Sequence, residues 1–233
     1  MYVLDHMIEN YGTDADVAHM LDNYDFYFAP VINPDGYVHS WDVDRMWRKN
    51  RAVNSGSACM GVDLNRNFDY YWGNAGSSTN PCSDSYQGPV PASEPETILV
   101  QDEANRLGSS VDCWTSIHTA AQMWLHPWGW LDDGQCARAD DHDDLYAVAE
   151  KTSQAIMATH DTVWTYGTIC ETIYAASGGT IDYVKGVSGI KYSFTPELRG
   201  PGFDPPPSAI VPSFQEVWNG IVAMVAEIES IGK

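Results

Sequence analysis

Apolar residues at Val3, Leu4, Met7, Ile8 and Tyr11 recur at the spacing of one helix face, and Gly12 follows as a stop, so the chain opens inside a helix. A dense aromatic and aliphatic run from Tyr24 to Ile32 closes in Asn33-Pro34-Asp35-Gly36, which predicts a buried strand leading into a turn. In Ser93-Glu94-Pro95-Glu96 a hydroxyl stands three residues before a carboxylate. That is the reciprocal capping pair of a helix start, and the helix is predicted to run to about Leu107-Gly108. Val111 to Ile117 follows as a strand. Leu145, Val148, Ala149, Thr152 and Ile156 mark another helix, Gly189 to Thr195 another strand, and Phe214, Trp218, Ile221, Val222, Val225 and Ile228 a closing helix. Strands alternating with helices imply a layered α/β domain. The stretch from Asp69 to Pro91, rich in Gly, Ser, Asn and Pro, reads as an ordered surface loop.

Composition narrows the class. At 233 residues and 44% hydrophobic, the chain is long enough for one substantial core and reads as one domain, residues 1–233. Its formal net charge of -20 argues against nucleic acid or anionic membrane as the main partner. No apolar run approaches the ~20 residues of a membrane span, and the first residues lack the layout of a signal peptide. The five cysteines (Cys59, Cys82, Cys113, Cys136, Cys170) form no C-x-x-C pair, which leaves isolated disulfides or buried thiols and at least one unpaired sulfur.

Three clusters carry candidate chemistry. The first is Arg45 to Arg51 together with Gly61-Val62-Asp63-Leu64-Asn65-Arg66-Asn67-Phe68; the second is Ser116-Ile117-His118-Thr119; the third is Lys191 to Arg199. A strand-terminal His and a strand-terminal Glu suit a metal ligand and a general base, while clustered Arg and Asn suit a carboxylate, whose two oxygens match the guanidinium fork. Taken singly, each cluster also has a plain structural explanation: a core histidine, or arginines that neutralise an acidic protein.

Taken together and in order, these segments resemble the carboxypeptidase A/B family of zinc exopeptidases over essentially the whole chain. The likeness includes Asn33-Pro34-Asp35-Gly36, the Arg-x-Trp-Arg-Lys run at 45–49, the 61–67 segment, Ser93-Glu94-Pro95-Glu96, Ile117-His118, Ile173-Tyr174-Ala175-Ala176-Ser177-Gly178-Gly179 and Tyr192 to Arg199. The resemblance implies a mixed, mostly parallel sheet with helices on both faces, here lacking its first strands. It implies Zn2+ as cofactor with His118 as a ligand, Glu197 as general base and Arg48 stabilising the oxyanion, with Arg45 a weaker candidate for substrate contact. Asn65 and Arg66 would hold the terminal carboxylate of a peptide or protein substrate, and Tyr174 would fold over the bound residue. Ile181 stands where basic-specific members carry an acid, so the residue removed would be aromatic or aliphatic; Asp182 belongs to the usual pattern. The resemblance also implies a Cys59–Cys82 disulfide, makes Cys136–Cys170 a plausible second, and points to a secreted monomer.

One departure matters. The family's zinc site also draws a His and a Glu from a His-x-x-Glu motif upstream of the opening helix, and that motif is absent. His6-Met7-Ile8-Glu9 has the right letters, but the apolar spacing puts His6 and Glu9 on the solvated side. Met1 is therefore read as an internal methionine of a longer protein, and the isolated chain is expected to bind zinc weakly and turn over almost no peptide. Ala120 and the Gly200 to Pro207 stretch are smaller departures that bear on subsite shape. The competing class is a peptide-binding module that kept the fold and the carboxylate clamp without catalysis. A serine or cysteine hydrolase is a distant third, since no Gly-x-Ser-x-Gly turn occurs.

Overall fold

A computed structural model of the chain describes residues 1–200 and 202–232; Pro201, within the Gly200 to Pro207 stretch, and Lys233 lie outside the described residues. Helices α1 (Tyr2–Asn10), α2 (Ala15–Asn23) and α3 (Pro34–Asp42), a 3-10 turn (Leu64–Arg66) and helix α4 (Pro95–Leu107) precede the first strand. Then come β1 (Cys113–Thr115), β2 (His118–Thr119), β3 (Met123–His126), β4 (Leu131–Asp132), β5 (Gln135–Cys136), α5 (His142–His160), β6 (Thr165–Thr168), α6 (Ile169–Thr172), α7 (Thr180–Gly186), β7 (Tyr192–Leu198) and α8 (Ile210–Ile231).

The main sheet runs β1-β7-β3-β6, with β2 also on β7, and β4 and β5 form a separate hairpin. β7 pairs in parallel with β1 and β2 and antiparallel with β3, which pairs in parallel with β6. Helices cover both faces. On one side α5 and α8 bury Leu145, Val148, Ile156, Met224 and Ile228 against Trp124 and Phe194 of the sheet. The α5 positions repeat at three and four residues, so one stripe meets the sheet and α8. On the other side Val100 of α4 packs with Phe68 and Tyr183, and Ala104 with Val184 and Ile190. Helices α1 and α2 gather Met7, Val17 and Met20 around Trp218.

Several elements depart from the pattern-based expectation. Tyr24 to Ile32 forms no strand, and Tyr27 (64% exposed) and Val31 (47%) face solvent. A strand needs a neighbour for its backbone N–H and C=O groups, and among the described residues none is paired with this run. Asn33-Pro34 starts a helix rather than a turn: the Asn33 side chain accepts the Gly36 N–H at 3.0 Å, and Pro34 fits the first helical turn. Helix α4 has the expected bounds but a different start, since the Ser93 hydroxyl donates to Glu94 Oε1 at 2.7 Å instead of capping the helix. His6 does not face solvent. Its ring packs on Trp218 and Phe214, with centroids 4.5 and 5.4 Å away, while Glu9 stays exposed, so the two do not act as a pair.

Helix α8 is long and apolar enough, by length and composition alone, to cross a membrane, although no unbroken apolar run in it approaches ~20 residues. Here its apolar positions Val217, Met224 and Ile228 are buried. Cys59 is bonded to Cys82 and Cys136 to Cys170. Cys113 is a free thiol beside Thr115 and the Met224 sulfur, and burial pushes its pKa up to about 12.

Candidate active site

The site is built on the 3-10 turn and the segments that lean on it. Asp63, which is buried, caps this turn: one carboxylate oxygen accepts the Asn65 N–H at 3.1 Å, and the other accepts Arg48 Nε at 2.9 Å. A short-chain Asp at a helix start does this readily because its oxygen reaches an otherwise unpaired amide. Asn65 Oδ1 in turn accepts the Thr180 N–H at 2.9 Å and the Thr180 hydroxyl at 3.0 Å. Arg66 is 5% exposed and donates through Nε to the Gly76 carbonyl at 2.9 Å and through Nη1 to the Asn65 carbonyl at 2.7 Å. Gly178 lies against this backbone at φ +67°, where a Cβ would stand 2.5 Å from the Arg66 carbonyl oxygen; only glycine fits such a conformation and approach.

Arg48, Tyr174, Glu197 and His118 gather beside this framework. Burial would lower the Arg48 pKa, but Asp63, with smaller help from Tyr174 and Glu197, outweighs it and holds the guanidinium above its ordinary value. Tyr174 follows α6 and is half-exposed. The β2–β7 register sets His118 opposite Glu197, with His118 Nδ1 3.5 Å from Glu197 Oε1. The other ring nitrogen of His118 lies 3.3 Å from the Ser116 hydroxyl, and Glu197 Oε2 is buried without a hydrogen-bond partner. Ile181 is buried in the first turn of α7. Arg45 is held elsewhere: it pairs at the surface with Asp204 at 3.1 Å, where both side chains are 60% exposed.

Sequence reasoning quoted Asp63 within a motif without assigning it a task, although an Asp two residues before an Asn in a turn is itself a capping signal. It gave no part to Thr180, whose backbone and hydroxyl orient Asn65, nor to Glu216, which pairs with Arg199 two residues beyond Glu197.

Residues 1–220 match the family model described as zinc carboxypeptidase. The chain belongs to the zinc carboxypeptidase family. It is 40% identical over 231 residues to carboxypeptidase A2 of Rattus norvegicus, covering 98% of this chain and 54% of that relative, so the chain spans about half the length of that protein. It is 38% identical over 224 residues to carboxypeptidase B of Astacus astacus, covering 94% of this chain and 72% of the relative. Among solved structures, bovine thrombin-activatable fibrinolysis inhibitor in complex with tick carboxypeptidase inhibitor superposes with a TM-score of 0.90 at 35% identity, covering 99% of this chain and 76% of that one. The carboxypeptidase A from Helicoverpa armigera gives 0.80 at 31% identity, covering 95% of this chain and 56% of that one.

The family's name implies a metal, and the side chains present do not fit one. Among the described residues no group of three or more His, Cys, Asp or Glu side chains is placed to hold a metal ion. The Zn2+ site expected around His118 is corrected accordingly. A catalytic zinc takes three protein ligands and keeps a fourth position open. His118 and Glu197 supply two groups, and these face each other as a pair.

Proposed function

We propose that this chain binds the free C-terminus of peptides and does not by itself hydrolyse them. The observation that carries this reading is the Asn65–Arg66 turn, held by Asp63, Thr180 and Gly76 so that the buried Arg66 guanidinium is fixed on a turn whose cap, Asp63, also pairs with the partly exposed Arg48. A pre-placed guanidinium and amide lose little entropy on gripping a carboxylate, and the charge-assisted bonds that form are about twice as strong as neutral ones. Tyr174 would cover the bound residue and Ile181 would receive an aromatic or aliphatic side chain. The likeness to carboxypeptidases supports a peptide ligand, and the two disulfides support an extracellular setting.

A second reading has one observation in its favour. Glu197 keeps a buried, unpartnered oxygen beside His118, an arrangement that a pure binding module does not require. In that reading Glu197 serves as a base and Arg48 stabilises an oxyanion in a protein that supplies further groups, and the reaction is hydrolysis of the C-terminal peptide bond.

Calorimetry with an N-acetylated peptide ending in phenylalanine, offered once as the free acid and once as the amide, tests the first reading. The free acid is expected to bind at least about tenfold more tightly, since a charged hydrogen-bonded contact is worth roughly 1.5–3 kcal/mol. Equal affinity for acid and amide would remove the clamp. Release of phenylalanine by the chain alone would overturn the first reading's statement that the chain does not hydrolyse peptides by itself.

A further inference from the structure

Asp182 has no task in the reading above, yet it is placed to affect it. It follows Ile181 in the first turn of α7, two residues after the Thr180 that orients Asn65. The side chain is buried; Oδ2 accepts the Gly129 N–H at 2.9 Å, and Oδ1 is buried with no hydrogen-bond partner. Gly129 is itself a crossing point, because its carbonyl accepts the Ala176 N–H at 2.7 Å from the loop that continues to Gly178 over Arg66. Asp182 thus joins α7, the segment after β3 and the loop covering Arg66. The charged or titratable groups bearing on it are Arg66 from the 3-10 turn and Tyr70 just beyond; from the segment after β3 it meets a backbone N–H.

We propose that Asp182 is a positioning residue of the carboxylate clamp, and that its charge is set against Arg66 so that the clamp grips a terminal carboxylate more tightly when Asp182 is neutral. This rests on the C-terminus-binding reading and adds to it a proton-linked control. Burial pushes the Asp182 carboxyl up to about 7, against the downward pull of the Gly129 N–H and of Arg66. At pH 6 the group is mostly neutral and Arg66 offers its full charge to a ligand. Above pH 8 a buried negative charge stands near the same guanidinium and offsets it. By reciprocity, a carboxylate bound at Arg66 raises the Asp182 pKa further, so binding near neutral pH takes up protons.

Two measurements test this. The first is the affinity of the N-acetylated, free-acid phenylalanine peptide from pH 6 to 8.5, for the unaltered chain and for Asp182→Asn, which keeps an acceptor for Gly129 but cannot ionise. The unaltered chain is expected to weaken roughly three- to tenfold over that range, a coupling of up to about one pKa unit, while the variant stays flat. The second needs no variant: calorimetry of the same binding at pH 7, in two buffers of different ionisation enthalpy, is expected to show net proton uptake. Binding by both proteins with parallel pH profiles, or zero uptake, overturns the proposal while leaving the clamp intact. No binding by either protein at any pH overturns the clamp itself and this proposal with it.

Discussion

Replacing Glu216 with alanine is expected to lower the unfolding free energy by about 3 kcal/mol, at the low end of what breaking a buried ion pair costs. Glu216 is fully buried on α8, accepts the Thr162 hydroxyl at 2.6 Å and lies 3.4 Å from Arg199 Nε. Truncation leaves Arg199 with the Thr162 hydroxyl, to which its Nη2 donates at 3.0 Å, and opens a polar hole in place of a carboxylate. Arg199 is a quarter exposed and recovers some hydration, which keeps the cost from reaching the top of the range. Glu216→Gln, which preserves the acceptor for Thr162, should lose less than the alanine variant. Urea unfolding followed by the fluorescence of the nine tryptophans measures both. An alanine variant within 0.5 kcal/mol of the parent, on an order-of-magnitude scale for surface changes, would show that the pair contributes nothing net. The effect should also reach the site, because Arg199 follows Glu197 by two residues, just past the end of β7.

Arg66→Met is expected to weaken binding of a free-acid peptide by about 2–4 kcal/mol, some thirtyfold or more, while barely changing the affinity of its amide. The logic is differential: the methionine fills much of the volume of the arginine stem but carries no charge to meet the carboxylate. The same change leaves the Gly76 carbonyl without its donor, so folding must be followed in parallel by thermal melting. Arg66→Lys separates charge from shape. It keeps a cation but loses the fork that serves Gly76 and the Asn65 carbonyl together, and should fall between the two. If the methionine variant still prefers acid over amide to the full extent, the carboxylate is gripped elsewhere, with Arg48 the next group to examine.

Local signals were legible where the structure that answers them is also local. The closing helix follows from apolar spacing, the 95–107 helix has the bounds its start signal suggests although that cap does not form, and β7 starts inside the predicted 189–195 strand but runs on to Leu198, taking in Glu197. Signals that depend on distant partners misled. Tyr24 to Ile32 has the composition of a buried strand, but composition cannot supply a neighbouring strand; among the described residues the run joins no sheet and is partly exposed. Asn33-Pro34 carries both a turn and a helix-start signal, and the Asn33 side chain decides for the helix by reaching the Gly36 amide. His6 was assigned to solvent from the hydrophobicity of its neighbours, whereas an imidazole packs well against the edge of an indole such as Trp218. The Zn2+ implied by the resemblance is corrected for a different reason: a ligand set needs three converging side chains, and the sequence places His118 but carries no His-x-x-Glu motif to complete the set, nor do three such side chains converge among the described residues. The Asn65–Arg66 turn was legible as a motif, but Thr180 and Gly178, which hold it, lie 115 and 113 positions away along the chain from Asn65 and emerge only in three dimensions.

The partly uncovered aromatics between Tyr24 and Ile32 give the acidic surface a second role. With a formal charge of -20, mutual repulsion among copies opposes contact between these sticky patches at neutral pH. Near the isoelectric point of about 4.3 that long-range barrier vanishes as carboxylates protonate, and the same patches become adhesive. Colloidal behaviour and handling of the chain are thus governed by a stretch that lies outside its candidate site.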